Sequence, residues 1–199
     1  MTIENILHWV LVNKTELTGS VLGIIYVLLA SRQNVWCWLS GIISCGLYIV
    51  VFLGQKLYGD MLLQVFYLLV GFYGWYIWLK RTDKKTGTSI SRMRLTLILW
   101  CLLAIGIMTF AFGFLLTFTD DPIPYWDGFT NALGLTGTWM TARKYIENWG
   151  LWIFTNLVCV GIYFYKGLYP TVVFYFIMAV LAYRAYLIWN RELKKMHHV

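Results

Sequence analysis

Charge is what this sequence has least of. Lysine, arginine, aspartate and glutamate make up 13% of its 199 residues, against roughly 25% in an ordinary globular domain. Acidic residues number only 9 and prolines only 3. No water-soluble chain of this size has the interior to hide so much apolar surface, so lipid must cover it. The four cysteines (Cys37, Cys45, Cys101 and Cys159) lie singly in apolar surroundings. Their spacing fits no metal centre or disulfide framework, and they read as buried small hydrophobes. His8, His197 and His198 are near the termini and imply no metal. No nucleophile stands near a base, no glycine loop suits a phosphate, and the connections leave no room for an ATPase domain. These absences point away from an enzyme and call for no cofactor. The opening MTIENILHWV has no basic leader followed by a small-residue cleavage site, so no signal peptide is expected.

What is present is apolar and aromatic. The chain is 60% hydrophobic and 19% aromatic, with 11 tryptophans and 14 tyrosines, and its mean hydropathy is +0.66. Apolar runs long enough to cross a bilayer are read at Glu16 to Ser31, Val35 to Leu53, Asp60 to Leu79, Met93 to Thr117, Asp127 to Ala142, Asn148 to Tyr165 and Pro170 to Asn190. The expected fold is an all-α integral membrane protein with seven transmembrane helices, a single membrane domain over residues 1–199. Residues 3–12 are expected to form a short amphipathic helix at the interface.

Charge placement orients the chain. The loop LKRTDKKTGTSISRMR is strongly basic, whereas the connection through Asp120, Asp121 and Asp127 is acidic. Basic connections stay cytoplasmic, which puts the N terminus outside and the C terminus in the cytoplasm of an inner (plasma) membrane. Only Lys14, Lys56 and Lys166 then fall outside. The net charge of +7 is thus a basic cytoplasmic face, and nucleic acid is not an expected partner.

The chain also repeats itself, residues 16–80 registering on residues 127–191 without a gap at an offset of 111. Glu16 meets Asp127, Leu22-Gly23 meets Leu133-Gly134, Arg32 meets Arg143, and Trp38 meets Trp149. Further on, Leu57-Tyr58 meets Leu168-Tyr169, and Ile77-Trp78 meets Ile188-Trp189. Helix ends and acidic starts align with them. One helix, residues 93–117, joins the two units, so both face the same way in a 3+1+3 parallel repeat. Secondary transporters use such repeats and bind substrate between them near the midplane.

Polar groups inside a span are costly unless they pair or face a cavity. In ENWGLWIFTN, Trp149, Trp152 and Asn156 fall on one helical face, which Tyr163 continues. The matching helix offers Trp38 and Tyr48, the third helix Gln64 and Tyr67, and the fifth Asn131 and Trp139. Together they describe an aromatic-walled slot with amide and phenol groups, suited to a flat heteroaromatic cation. Plainer roles stand beside this one. Trp36, Trp78 and Trp189 lie near predicted ends and read as interfacial anchors. Glu16 and Asp127 start helices, where a carboxylate suits the dipole. Gly19, Gly23, Gly134 and Gly137 permit close helix packing. An integral membrane enzyme or sensor module would need its polar residues nearer one surface, and a purely structural subunit would bind no solute.

Three stretches, NVWCWLSGIISCGLYIVVF, KLYGDMLLQVFYLLVGFYGWYIW and ENWGLWIFTNLVCVGIYFYKGLYPTVVFYFIMAVLAYRAYLIW, resemble the PnuC-type bacterial vitamin transporters over about residues 16–190. The resemblance implies a full-length SWEET-like transporter fold that holds substrate with aromatics and amides. It gives binding roles to Trp149, Trp152 and Asn156 through a W-x-x-W-x-x-x-N pattern, and to Gln64 and Tyr67 through GDxxLQxxY. It also implies facilitated diffusion made one-way by a separate cytoplasmic kinase, which need not touch the carrier. A denser tryptophan cluster common among the nicotinamide riboside carriers is missing, and the chain is short. The expected substrate is therefore thiamine, with nicotinamide riboside as the alternative. No oligomeric state follows from the sequence.

Overall fold

A computed structural model describes residues 14–54, 58–80 and 90–197. The expected interfacial helix at 3–12 lies outside the described residues, as do residues 81–89 of the basic loop and the side chains of Glu16 and Asp60. Among the described residues seven helices follow one another: α1 Lys14–Ser31, α2 Trp36–Gly54, α3 Tyr58–Lys80, α4 Leu95–Leu116, α5 Pro124–Ala142, α6 Glu147–Tyr165 and α7 Tyr169–His197. The few prolines sit where helices tolerate them. Pro124 opens α5 and Pro170 is the second residue of α7, positions whose N–H would have no intrahelical partner.

Among the described residues four helical segments are long and apolar enough to cross a membrane: Trp36–Gly54, Met61–Lys80, Leu95–Leu116 and Tyr169–Met196. The shorter Thr18–Ser31 is also apolar. That α5 and α6 fall short of this measure follows from their content, since α5 is rich in Thr and Gly and α6 carries two asparagines. Protein packs over much of α5. Gly128, Ala132, Leu133, Gly134, Thr136, Gly137 and Thr138 of α5 are all buried. The joining helix α4 is the opposite case, with Leu95, Leu99, Trp100, Ile107, Phe110 and Phe114 all exposed. Its extensive contact is with α5.

The neighbours form a reciprocal pattern. Within the first half α1 packs on α2 and α2 on α3; within the second, α5 packs on α6 and α6 on α7. Between the halves α1 packs on α7 and α3 on α5, so the first helix of each lies against the third of the other. Two turns match as closely. After α1, Gln33 N–H donates to Ala30 O and Asn34 N–H to Leu29 O; after α5, Lys144 N–H donates to Thr141 O and Tyr145 N–H to Met140 O. Each is a helix C-terminus closed by a left-handed residue. That residue is Gln33 (φ 54°) in one turn and Lys144 (φ 56°) in the other, where a side chain costs about 1–2 kcal/mol relative to glycine.

The larger core cluster sits at the end where these turns lie. It includes Ala30, Cys37, Trp38, Trp78, Ala142, Trp149, Ala185 and Trp189. With Arg32, Arg143, Lys144 and Arg191 nearby in sequence, this is the basic end; Asp120 and Asp121, between α4 and α5, mark the acidic end.

Candidate functional site

A cavity of about 260 Å³ opens between α3, α5, α6 and α7 and reaches toward the acidic end. Trp152, Thr155, Asn156, Cys159 and Tyr163 line it from successive turns of α6, the i, i+3, i+4, i+7 progression that keeps side chains on one helical face. Tyr67 faces them from α3, Asp127, Thr130, Asn131 and Gly134 from α5, and Tyr175 from α7. Asp121, from the turn before α5, completes the acidic side.

Small residues on α5 let the aromatics in. The Tyr67 phenol lies against Gly134, where a β-carbon would collide with its oxygen, and Tyr67 donates to Asn131 O at 3.4 Å. The Trp152 indole packs on Gly137, where a β-carbon would stand 3.1 Å from the ring. Its Nε1–H donates to the Thr141 hydroxyl at 3.3 Å. The Thr141 hydroxyl in turn has two acceptors within reach, Gly137 O at 2.8 Å and Asn148 Oδ1 at 3.1 Å. Both Thr141 and Asn148 are wholly buried, so the indole hangs from a dry polar chain that fixes its plane.

The rest of the lining is polar and asymmetric. Asn156 is 5% exposed, and among the described residues no protein group bonds its carboxamide. A buried amide with unused donors and acceptors costs free energy unless something else satisfies it. Asp127 pairs with Lys166 at 2.7 Å, leaving Asp121 as a second carboxylate on the wall, where it accepts Ile123 N–H at 3.0 Å. Tyr163 and Tyr175 stack at 5.1 Å, nearly parallel.

Of the residues expected in the slot, Tyr67, Asn131, Trp152, Asn156 and Tyr163 line this cavity. Others lie elsewhere. Trp149 shares the Trp152 stripe but sits a turn closer to the basic end, 1% exposed and edge-on to Trp189 at 5.4 Å. Trp139 turns toward α4 and lines a groove with Trp100 and Met108. Tyr48 stacks on Phe52 at 5.7 Å and lies against Gly19. Gln64 is half-buried and outside the cavity lining. Trp38 lines a second, smaller cavity of about 180 Å³ with Gly23, Tyr26, Gly41, Ser44 and Cys45. Tyr67 and Trp152 belong to both cavities and form the partition between them.

Residues missing from the sequence reading include Thr155, Asp121 and Tyr175. Asp127, expected only as a helix-start carboxylate, also lines the wall. The signal for Tyr175 was in the register, since it stands at the repeat position of Gln64.

The family model of nicotinamide mononucleotide transporters matches residues 13–191. The chain belongs to that family. It is therefore a membrane transporter rather than an enzyme. Among curated relatives, the nicotinamide riboside transporter PnuC of Escherichia coli (strain K12) is 28% identical over 200 residues, covering 87% of this chain and 84% of that one. The riboflavin/roseoflavin transporter RibM of Streptomyces davaonensis is 30% identical over 164 residues, covering 77% and 73%. A crystal structure of the vitamin B3 transporter PnuC aligns with a TM-score of 0.71 at 22% identity, over 92% of this chain and 83% of that one. This likeness carries the fold. These relatives are named for nicotinamide riboside or riboflavin and none for thiamine, so the expectation of thiamine finds no support among them.

Proposed function

We propose that the chain carries nicotinamide riboside across the inner membrane by facilitated diffusion. The observation that carries this reading is the pairing of Trp152 with Asn156, whose carboxamide bonds no other described residue, on a wall that also holds Asp121 and Asp127. A pyridinium ring gains cation–π attraction from an indole face. Its carboxamide and the ribose hydroxyls match the amide of Asn156 and the hydroxyls of Thr130, Thr155 and Tyr163. The two carboxylates favour a cation, and Lys166 is already engaged by Asp127. Among the described lining residues a phosphate would therefore meet like charge and no base, which favours the riboside over the mononucleotide. The relatives named for nicotinamide riboside support the same choice.

In this reading all seven helices span the membrane, with the basic end in the cytoplasm, the N terminus outside and the C terminus inside. Residues 16–80 and 127–191 are two parallel three-helix units joined by residues 93–117, in a SWEET-like arrangement. The reciprocal packing and the matched turns support it. Uptake becomes one-way when a separate cytoplasmic kinase phosphorylates the riboside. A competition titration on detergent-solubilised protein tests the substrate. Nicotinamide riboside should displace a bound fluorescent analogue at lower concentration than nicotinamide mononucleotide, riboflavin or thiamine. Stronger displacement by any of the other three would overturn the choice.

A further inference from the structure

One construction closes the basic end of the molecule, and it is used twice. Trp78, near the end of α3, donates its indole N–H to Ala142 O at 3.0 Å. Trp189, on α7, donates to Ser31 O at 3.1 Å and reaches Ala30 O at 3.3 Å. Ala142 and Ser31 are the last residues of α5 and α1, so each tryptophan reaches from its own half to the terminal carbonyls of the other. The separation between Gln33 and Lys144 is 111 residues, and the same offset carries Trp78 to Trp189 and Ser31 to Ala142. Lys144 Nζ donates to Gln33 Oε1 at 3.1 Å. A residue that touches its own counterpart lies on the axis relating two halves, so the two tryptophan contacts straddle that axis.

The chemistry suits a latch. Terminal carbonyls of a helix are acceptors without intrahelical partners, and an indole N–H is a donor only. Trp78 is 4% exposed and Trp189 is fully buried, so neither bond can be exchanged for water while the end stays shut. Trp38 stands edge-on to Trp78 at 5.6 Å and Trp149 edge-on to Trp189 at 5.4 Å, filling the space around them. Gln33 also bonds Glu192, and the Lys144 ammonium lies 4.7 Å from the Trp78 ring centre. Gln33 and Lys144 both hold left-handed backbone, a conformation that survives only where its surroundings hold it.

We propose that Trp78 and Trp189 are paired positioning residues of the transport step. They hold the basic end closed while the cavity is open toward the acidic end, and both bonds must break for solute to leave on the basic side. The proposal rests on the transport reading above. Because the axis relates the contacts, rocking one half against the other separates both indoles from their carbonyls in one motion. Thr141 connects this closure to the cavity. Its hydroxyl holds the Trp152 indole, and the next residue, Ala142, supplies the carbonyl that Trp78 grips. A solute that shifts Trp152 therefore acts on the latch through one pair of adjacent residues.

Two native cysteines read the two ends without any solute. Cys37 is fully buried within the core cluster of the basic end, whereas Cys159 lines the cavity on the acidic side. Membrane vesicles carrying wild type, Trp78→Phe, Trp189→Phe and the double variant would be treated with a water-soluble methanethiosulfonate. Peptide mass spectrometry then gives the modification rate at each cysteine. Phenylalanine keeps a ring but removes the N–H, and one such bond is worth about a fivefold shift in an equilibrium. Either single variant should raise the Cys37 rate about fivefold, the double variant should raise it further, and the Cys159 rate should stay level or fall. An unchanged Cys37 rate, a response to one tryptophan alone, or an equal rise at both cysteines would overturn the latch, the last because general loosening exposes both. Failure here with intact riboside binding would leave the substrate reading standing. Intact gating without riboside binding would do the reverse.

Discussion

Set side by side, the two halves present different walls to two adjoining cavities. Around the larger cavity the second half places Gly134, Trp152, Thr155 and Asn156. Around the smaller one the first half places Gly23, Gly41, Ser44 and Cys45, each at the equivalent position of the proposed repeat. A tryptophan on one side answers a glycine on the other, and an asparagine answers a cysteine. The turns at the basic end diverge less: Gln33 and Lys144, and Asn34 and Tyr145, make equivalent backbone bonds, while Arg32 N–H donates to Leu29 O and Arg143 N–H to Trp139 O, one position further back. The difference teaches where symmetry is useful. A closure that must open in one motion gains from matched halves, whereas a pocket for an asymmetric solute gains from unmatched walls.

The comparison can be broken at its strongest point first. Trp152→Ala removes the aromatic wall and should weaken riboside binding by about 1–3 kcal/mol, roughly 5- to 150-fold, by isothermal titration. An unchanged dissociation constant would make the two walls equivalent. Asn156→Leu keeps the volume and removes the amide. A loss of about tenfold is expected, with melting temperature equal to or above wild type, since a buried amide without a protein partner is replaced by an apolar group. Asp127→Asn removes a partly exposed ion pair, worth about 0.2–1 kcal/mol. Its effect should be two- to fivefold on the cationic riboside and smaller on neutral nicotinamide, measured by competition. The smallest effect belongs to the first half: Cys45→Ala should change riboside affinity by less than about twofold. A tenfold loss there would mean that both halves hold the solute equally.

Much of this was legible from periodicity alone. The order of seven helices and the polar face of α6 follow from apolar runs and from spacings of three and four. Trp149 shows where that logic stops. It shares the stripe with Trp152, but a helix has depth as well as a face. One turn toward the basic end is enough to move an indole from the cavity into the closure against Trp189. Trp78 and Trp189 read as interfacial anchors because they fall near predicted ends. Their indole bonds go instead to helix-terminal carbonyls of the opposite half, a partnership 64 residues apart for Trp78 and 158 for Trp189. No local pattern announces such contacts. Asp127 was hidden for another reason, since a carboxylate in the first turn of a helix already has a sufficient local explanation.

Facilitated diffusion of nicotinamide riboside through this asymmetric cavity, as proposed above, needs no energy source. Uptake of labelled nicotinamide riboside into proteoliposomes, with no ATP and no imposed ion gradient, tests it most directly. Entry should run well above protein-free liposomes, saturate, equilibrate at equal concentrations inside and out, and fall strongly for Trp152→Ala. Entry that requires a proton or sodium gradient, or that accumulates above equilibrium without a kinase, would contradict it.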